Sequence, residues 1–453
     1  MSTIVRTVGN ARDLLPLAAS FPARYPGFLE SVARGSARAR HDILFAFPEQ
    51  WLRLGADGHV RDRDEHVVGT SFLAALDEAW QAERLSPDME THGLPFRGGW
   101  LLYLGYELAA EIEPSLRLPP SRDAAMPIAL ALRCPAAIIV DHQADRTWLV
   151  AEKGREELID LLQADLDVES TIQEIASIAS CTVDEDAPAL FLDGVERIQR
   201  HLADGDVFQV NLSREWRAHH AESPRAADLY AALRRANPAP FAGLLQTADW
   251  AIVSSSPERL IEIRGEVVQT RPIAGTRARV DDDVVSVREL VGHPKERAEH
   301  VMLIDLERND LGRICRPGSV VVDELMGVES YAHVHHIVSN VRGLLHYGVT
   351  PGDAIRAVFP GGTITGCPKV RCMQIIADIE RVGRGAYTGS FGYLNRDGDL
   401  DLNILIRTLT LQGDCVHFRA GAGIVADSQP QQELEETRAK ARGLLHALNA
   451  VSN

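Results

Sequence analysis

The stretch AIVSSSPERLIEIRGEVVQTR, residues 251–271, decides the fold class. It contains three short apolar runs, Ala251–Ser255, Arg259–Ile263 and Glu266–Arg271, which are separated by a proline and by an Arg-Gly pair. Such breaks end a strand without leaving room for a crossover helix, so the three runs predict an antiparallel meander. With helical segments elsewhere in the chain, this pattern predicts an α+β fold and not a doubly wound parallel sheet.

Periodic segments on both sides of the meander predict further strands and helices. Strands are predicted at Asp42–Phe47, Trp100–Tyr106, Ala136–Val140, Val207–Arg214 and Asn403–Leu411, and helices at Phe72–Leu85, Gly194–Ala203, Pro294 to about Arg308, and Pro430–Ala447. In the strand that starts at Val207, alternation places Gln209, Asn211 and Ser213 on one face. We predict an N-terminal domain over residues 1–165, an acidic connector over 166–190 and a second domain over 191–450.

Composition excludes several classes of function. The chain has 453 residues and a net charge of −17, which disfavours a nucleic-acid partner. It has no apolar stretch approaching the roughly 18 residues needed to cross a bilayer, so no membrane association and a cytoplasmic location are expected. The six cysteines are scattered without a CxxC spacing, which argues against a zinc site and against a disulfide framework.

Two predicted helices carry carboxylates that could bind a cation. Glu433, Glu436 and Lys440 lie at i, i+3 and i+7 on one face of the C-terminal helix, and a solvated acidic face would explain them equally well. Glu299 lies among apolar residues at helical spacing, and a buried carboxylate needs a cation or several donors. Mg²⁺ and a buried Glu–Arg pair both satisfy that need.

Two glycine-rich stretches and one arginine could hold an anion. Phe359–Gly366 and Ala420–Gly423 expose backbone amides and could form anion-binding nests, although ordinary turns give the same composition. Arg407 is predicted in a core strand, where its guanidinium must meet either a substrate carboxylate or a structural carboxylate. The chain contains no Walker-type GxxxxGK[ST] motif, so a nucleotide ligand is disfavoured.

Five ordered motifs in the second half closely resemble those of the chorismate-utilising enzymes. They are Ser256-Pro-Glu-Arg259, Arg271-Pro-Ile-Ala-Gly-Thr276, Asp305-Leu-Glu-Arg-Asn-Asp310, Phe359–Gly366 with Pro368-Lys369, and Gly423-Ile-Val-Ala-Asp427. The first half resembles the family more loosely, through Leu29-Glu30-Ser31 and Gly98–Tyr106. The resemblance implies the fold of anthranilate synthase component I, with two face-to-face, mostly antiparallel sheets and helices outside.

The resemblance also implies roles for individual residues. It implies a Mg²⁺ ion that holds the ring carboxylate of chorismate, with Glu299 and Glu436 as direct ligands and Glu433 as a direct or water-mediated one. Glu258 matches the general acid that protonates the departing C4 hydroxyl, and His336 a second contact to that hydroxyl. The remaining candidates are the clamp on the enolpyruvyl carboxylate and motif residues near it: Arg407, Tyr387, Gly421, Ala422, Gly423, Lys440, Thr276 and Thr363.

The nucleophile is predicted from one position. Family members that add water carry a lysine base where this chain has Gln209. An amide cannot deprotonate water, whereas ammonia needs no base to attack, so the chain is predicted to use ammonia. The sequence has no cysteine in a glutamine amidotransferase context, so ammonia is expected from a separate glutamine amidotransferase subunit or from solution.

The site of amination is harder to predict. The motifs Gln209–Leu212, His335–Ser339 and Phe359–Gly366 favour amination at C4, which gives 4-amino-4-deoxychorismate. Against it stands Ala274, because many family members that aminate C4 have a lysine here that adds to C2. We predict amination at C4. The alternatives are amination at C2 with loss of pyruvate, which gives anthranilate, and a chorismate-binding subunit without turnover. The stretch Leu29–Ser31 leaves tryptophan binding at the N-terminal domain open.

Overall fold

The structure is a computed structural model that describes residues 3–33, 40–85, 93–123, 125–167, 175–278, 294–330 and 334–449. Its strands in chain order are β1 Thr3–Thr7, β2 Gly27–Glu30, β3 His41–Ala46, β4 Gln50–Leu54, β5 Val60–Arg61, β6 Val67–Gly69, β7 Gly99–Leu104, β8 Ala129–Cys134, β9 Ala136–Asp141, β10 Arg146–Glu152, β11 Thr182–Glu185, β12 Gln209–His219, β13 Phe241–Gln246, β14 Trp250–Ser256, β15 Arg259–Arg264, β16 Val267–Thr270, β17 Ile273–Ala278, β18 Val321–Ser330, β19 Val334–Leu344, β20 Gly366–Cys367, β21 Ser390–Asn395, β22 Leu400–Ile404, β23 Thr408–Gln412 and β24 Cys415–Ile424.

The helices complete the described elements. They are α1 Leu15–Ser20, α2 Phe72–Glu83, α3 Ala109–Ile112, α4 Glu156–Asp167, α5 Pro188–Ala203, α6 Ala226–Ala236, α7 Pro294–Gly312, α8 Pro351–Val358, α9 Lys369–Glu380 and α10 Pro430–Ala447, with 3-10 turns at Tyr106–Leu108 and Gly362–Ile364. In the described part of the chain, no helix is both long enough and apolar enough to cross a membrane.

The strands form two antiparallel sheets, each with twelve strands among the described residues. The first sheet has the order β1-β10-β9-β3-β2-β13-β14-β23-β24-β12-β11, with β20 also paired to β12. The second has the order β17-β19-β16-β15-β22-β21-β7-β8-β4-β5-β6, with β18 also paired to β19. Both sheets take strands from residues 1–165 and from residues 191–450.

Period-two burial explains why the sheets stack. In β9, Ala137 and Ile139 face an apolar cluster that includes residues of both sheets, such as Phe45 and Tyr393. The alternate residues of β9 face a second cluster, shared with α1, α4, α6 and α10. A third cluster packs α2, α7 and α8 against the other side of the second sheet. The predicted architecture of two facing sheets with helices outside is therefore confirmed.

Most predicted elements are present, but the meander is only partly right. β15 and β16 form the expected antiparallel hairpin. The first run, β14, instead belongs to the other sheet, where it pairs with β13 and β23. The break at Pro257 is thus not a turn between neighbouring strands, because the chain passes there from one sheet to the other.

One predicted strand was wrong, and the predicted connector contains a strand that was not predicted. The predicted strand Asn403–Leu411 is two strands in different sheets, β22 and β23. The unpredicted strand is β11, which lies within the stretch 166–190 that we predicted as a connector and pairs with β12 at the sheet edge. The C-terminal helix begins at Pro430 as predicted, with Gln429 at its N-cap position. All six cysteines are free, as the sequence predicted.

Candidate active site

Two sheet-to-sheet crossovers lie side by side and carry two of the predicted site residues. Glu258 lies between β14 and β15, and Arg407 lies between β22 and β23. The backbone N–H of Ser255 donates to the Arg407 carbonyl at 3.1 Å, and that of Ile404 donates to the Glu258 carbonyl at 3.0 Å. Strand β14 also pairs directly with β23. The sandwich geometry therefore fixes the carboxyl and the guanidinium on neighbouring segments.

The Glu258 carboxyl is buried, with 6% of the residue exposed. Burial raises its pKa to about 7, because charge is disfavoured away from water. The Thr363 side chain, the Ile273 backbone N–H and the Lys440 ammonium each oppose that rise in pKa. A carboxyl with a pKa near neutrality can give up a proton and take one back, which is what a general acid requires.

Gln209 lies at the start of β12 and contacts two other candidates. Its Nε2 donates a hydrogen bond to Glu299 Oε1 at 3.1 Å, which joins β12 to α7. The same Nε2 lies 2.3 Å from where a Cβ on Gly423 would be. Position 423 must therefore be glycine for Gln209 to keep this orientation.

A second group of contacts, the Lys440 cluster, consists of Lys440 on α10, Gly421 and Glu436. The Lys440 Nζ donates to the Gly421 carbonyl at 2.9 Å and pairs with Glu436 Oε1 at 2.7 Å. The Tyr387 hydroxyl lies 2.7 Å from where a Cβ on Gly421 would be. Because Gly421 and Gly423 are two residues apart on β24, the Lys440 cluster and the Gln209–Glu299 pair meet along the same short stretch of strand.

Burial lowers the pKa of the Arg407 guanidinium, and the Tyr387 hydroxyl and the Glu436 carboxylate oppose this. Arg407 has a left-handed backbone with φ of 52° and directly precedes β23, in the connection that follows the end of β22 at Ile404. The prediction that Arg407 lies within a core strand was therefore wrong. Within the described residues it forms no ion pair, so it can receive an external anion.

Buried polar atoms without partners occur in this region. Gln209 Oε1, Asn211 Oδ1 and Glu258 Oε1 are buried and have no hydrogen-bond partner among the described residues. Most buried polar atoms in folded proteins are paired, so unpaired ones beside a cleft indicate where a ligand would supply the missing partner. Asn211 was not predicted as a site residue. Its placement on the Gln209 face of the strand was the available signal.

The prediction that the backbone amides of Ala420–Gly423 form an anion-binding nest was wrong. These residues belong to β24 and pair in register with β12, Asn211 opposite Gly423 and Ser213 opposite Gly421. Glycine at positions 421 and 423 lets the side chains of Gln209, Asn211 and Tyr387 lie close to the β24 backbone, because a Cβ at these positions would collide with them. Ala422 between them is buried against the helices α5 and α9.

The remaining candidates take the following places. Thr276 lies opposite His336 in the β17–β19 ladder, and Ala274 lies opposite Ile337. His336 is buried, with 7% exposed. Thr363 lies in the 3-10 turn Gly362–Ile364, which packs against Leu306 of α7. The side chains of residues 274–278 lie outside the described part of the chain.

The predicted metal ligands lie on the two helices that border the cleft. Glu299 of α7 is half-buried, Glu433 of α10 is half-buried one turn before Glu436, and Glu436 is about half exposed. Within the described residues, no three His, Cys, Asp or Glu side chains lie close enough together to hold a metal ion. The donor chemistry suits Mg²⁺, but Glu299 and Glu436 have Gln209 and Lys440 as partners, which an ion would have to displace.

The two stacked antiparallel sheets bring a buried carboxyl, Glu258, and a guanidinium that has no ion pair among the described residues, Arg407, to neighbouring crossovers, where a small acidic molecule could bind. The fold is that of anthranilate synthase component I. The crystal structure of that protein from Streptococcus pneumoniae TIGR4 matches with a TM-score of 0.81 and 30% identity, over 90% of this chain and 93% of the other.

Sequence comparison gives the family. The model of the chorismate binding enzymes matches residues 40–446. An anthranilate synthase component I-like protein of Synechocystis sp. is 42% identical, over 84% of this chain and 79% of the relative. Aminodeoxychorismate synthase component 1 of Bacillus subtilis is 41% identical, over 79% and 78%. The chain therefore belongs to the chorismate-binding enzyme family.

Proposed function

We propose that this protein aminates chorismate at C4 and forms 4-amino-4-deoxychorismate, with ammonia supplied by a glutamine amidotransferase subunit. The observation that carries the proposal is the buried Glu258 carboxyl, whose pKa of about 7 lets it hold a proton at neutral pH. It can give that proton to the C4 hydroxyl, which then leaves as water when ammonia has attacked the ring. The attacking ammonia loses a proton in turn, so the carboxylate left on Glu258 can be protonated again.

The other residues of the cleft support binding and choice of nucleophile. The half-buried Arg407 guanidinium and the hydroxyl of the buried Tyr387 suit the enolpyruvyl carboxylate. Gln209 offers an amide and no base, which favours ammonia over water. We propose Mg²⁺ between Glu299, Glu433 and Glu436, where it would neutralise the ring carboxylate of chorismate.

Amination at C2, which leads to anthranilate after loss of pyruvate, is the second candidate. Ala274 favours it, because a methyl group cannot supply the lysine adduct of many C4-aminating relatives. The motifs Gln209–Leu212 and His335–Ser339 favour C4. Relatives named for each reaction are about equally similar to this chain.

Product analysis decides between these reactions. Purified protein is incubated with chorismate, Mg²⁺ and ammonium, and the product is identified by mass and fluorescence. We expect a product that retains its enolpyruvyl group and that a lyase converts to 4-aminobenzoate. Free anthranilate would establish C2 amination instead, and unchanged chorismate would indicate a binding subunit without turnover.

We further propose that tryptophan binds in a separate cavity of about 620 Å³ between the sheets, lined in part by Leu29, Glu30 and Ser31. Its wall also contains the Phe241 ring and several arginines and carboxylates, which suit the indole and the charged groups of an amino acid. Calorimetric titration with tryptophan tests this. Absence of heat with tryptophan, in protein that turns over chorismate, would reject it.

A further inference from the structure

Arg384 is a buried arginine, with 4% exposed, whose guanidinium has all of its hydrogen bonds within the protein. It lies in the segment between α9 and β21. Its five side-chain hydrogen bonds are Nε to Glu380 Oε2 at 3.1 Å, Nη2 to Glu380 Oε1 at 2.7 Å, Nη2 to the Asn211 carbonyl at 2.8 Å, Nη1 to the Ile364 carbonyl at 3.1 Å, and Nη1 to Thr388 Oγ1 at 3.4 Å. The five hydrogen bonds match the five N–H donors of the planar guanidinium.

The partners of Arg384 belong to three separate parts of the candidate active site. Asn211 lies two residues after Gln209 on β12. Ile364 directly follows Thr363, whose side chain lies beside the Glu258 carboxyl. The guanidinium also lies 5.5 Å from the centre of the Tyr387 ring. One side chain thus joins a strand, a 3-10 turn and a tyrosine that come from distant parts of the sequence.

Residues of the N-terminal half of the chain bind the backbone of Arg384 and of the residue that follows it. Glu107 Oε1 accepts the backbone N–H groups of Arg384 at 2.7 Å and of Gly385 at 3.2 Å. The backbone N–H of Tyr106 donates to the Gly385 carbonyl at 2.9 Å. The Tyr106 ring lies 5.1 Å from the guanidinium, so the cation contacts two aromatic rings, Tyr106 and Tyr387.

We propose that Arg384 is a positioning residue, which sets the distance between the Gln209 strand, the Thr363 turn and Tyr387 without touching the substrate. This inference rests on the proposed function for its kinetic consequence. A lysine would keep the charge and the pairing with Glu380, but an ammonium lacks the planar fork and has too few donors to reach all of these carbonyls. The role therefore depends on the shape of the guanidinium and not on its charge.

Arg419 provides a matched control. It is also buried, with 7% exposed, and its Nη2 donates to the same Glu380 at 3.1 Å. Its other bonds go to Ser213, at 3.0 Å from Nε to Oγ and at 3.4 Å from Nη2 to the carbonyl. Arg419 therefore shares the Glu380 carboxylate with Arg384. In the described structure it makes no hydrogen bond to the Thr363 turn or to Tyr387.

The experiment compares R384K with R419K in the full-length protein, well below the lower of the two melting temperatures. We expect R384K to raise the chorismate KM about tenfold and to lower kcat about tenfold, since a displacement of about 1 Å in a site costs on the order of 100-fold in kcat/KM. R419K should change each constant less than about threefold, although both variants lose thermal stability. Equal losses of kcat/KM in the two variants would overturn the proposal.

Amide hydrogen exchange gives a readout that needs no turnover. We expect R384K to exchange faster than wild type and than R419K in peptides that cover 361–366, and equal exchange in both variants would overturn the positioning role. If wild-type protein does not consume chorismate, the proposed function fails while this measurement still decides the inference. If the lysine variants do not fold, R384Q and R419Q serve the same comparison.

Discussion

Replacing Glu258 by glutamine separates the chemical role of this carboxyl from its cost in stability. Its pKa is raised to about 7 by burial. At pH 7 about half of the molecules therefore carry the proton, whereas an ordinary glutamic acid would carry it in less than about 1%. Glutamine keeps the shape and cannot donate this proton, so we expect kcat for ammonia-dependent chorismate loss to fall about 100- to 10,000-fold.

The free energy of unfolding should rise in E258Q, whereas kcat should fall. Because the folded-state pKa of Glu258 is raised from 4.5 to about 7, the folded protein binds more protons than the unfolded chain between these values. The contribution of Glu258 is full below about pH 4.5 and is lost as the pH rises through about 7. The ionised carboxylate then costs ~3 kcal/mol, a penalty that E258Q does not have. We expect E258Q to be more stable than wild type by up to ~3 kcal/mol at about pH 8, with the two converging near pH 5.

Urea denaturation at both pH values measures the free energy of unfolding, and chorismate consumption measures turnover. E266Q is a suitable control, because Glu266 is exposed and pairs on the surface with Arg316. It should change the free energy of unfolding by less than about 1 kcal/mol. An E258Q variant with more than about a tenth of wild-type activity, or with the same stability difference at both pH values, would refute the general-acid reasoning.

Four other predictions concern the cleft. In G423A the new methyl would lie 2.3 Å from Gln209 Nε2, so we expect ammonia-dependent kcat/KM to fall about tenfold while the melting temperature changes little. K440M removes a cation that lowers the pKa of Glu258, so the alkaline limb of the pH–rate profile should move to higher pH, and an unchanged limb would contradict this. Chelation of divalent ions should abolish turnover and added Mg²⁺ should restore it. E299Q should raise the Mg²⁺ concentration needed for half-maximal rate about tenfold, and an unaltered requirement would count against Glu299 as a ligand.

Much of the fold could be predicted because apolar periodicity is a local property. The alternation in β12 and the amphipathic helix α10 follow directly from sequence spacing. The edge strand β11 was missed, since three of its four residues are exposed, the fourth is half-buried, and they carry no apolar pattern. An edge strand is held by its partner and not by burial, so composition does not reveal it.

The break at Arg407 could not be predicted for a different reason. The residues from Leu402 to Leu411 read as one apolar strand without glycine, proline or asparagine after Asn403. The turn is made by a left-handed arginine, a conformation that the tertiary structure imposes against local preference. The same holds for the pKa of Glu258, because burial by distant segments and not the sequence around it raises that value.

The candidate site residues were predicted from motif resemblance, and the structure adds physical connections between several of them. Gln209 and Glu299 are ninety positions apart and share a hydrogen bond at 3.1 Å. Lys440 reaches Gly421 across a helix–strand contact. Spacing along the chain could not give such contacts. That the buried amide oxygen of Asn211 has no hydrogen-bond partner among the described residues also could not be predicted from the sequence.

The position of the site follows from how a two-sheet sandwich must be connected. A strand that leaves one sheet for the other gives up its ladder at the crossover, so its side chains face the gap between the sheets and not a neighbouring strand. At Glu258 and Arg407 two crossovers run together, and Ser256 Oγ fastens them by donating to the Ile404 carbonyl at 2.5 Å. A carboxyl placed there is dry without being paired to a cation, which is the condition that keeps its proton at neutral pH. The architecture thus places a buried carboxyl at the crossover at a cost in stability. A chain that removed this cost by pairing Glu258 with Arg407 would lose both the proposed proton donor and the proposed anion receptor.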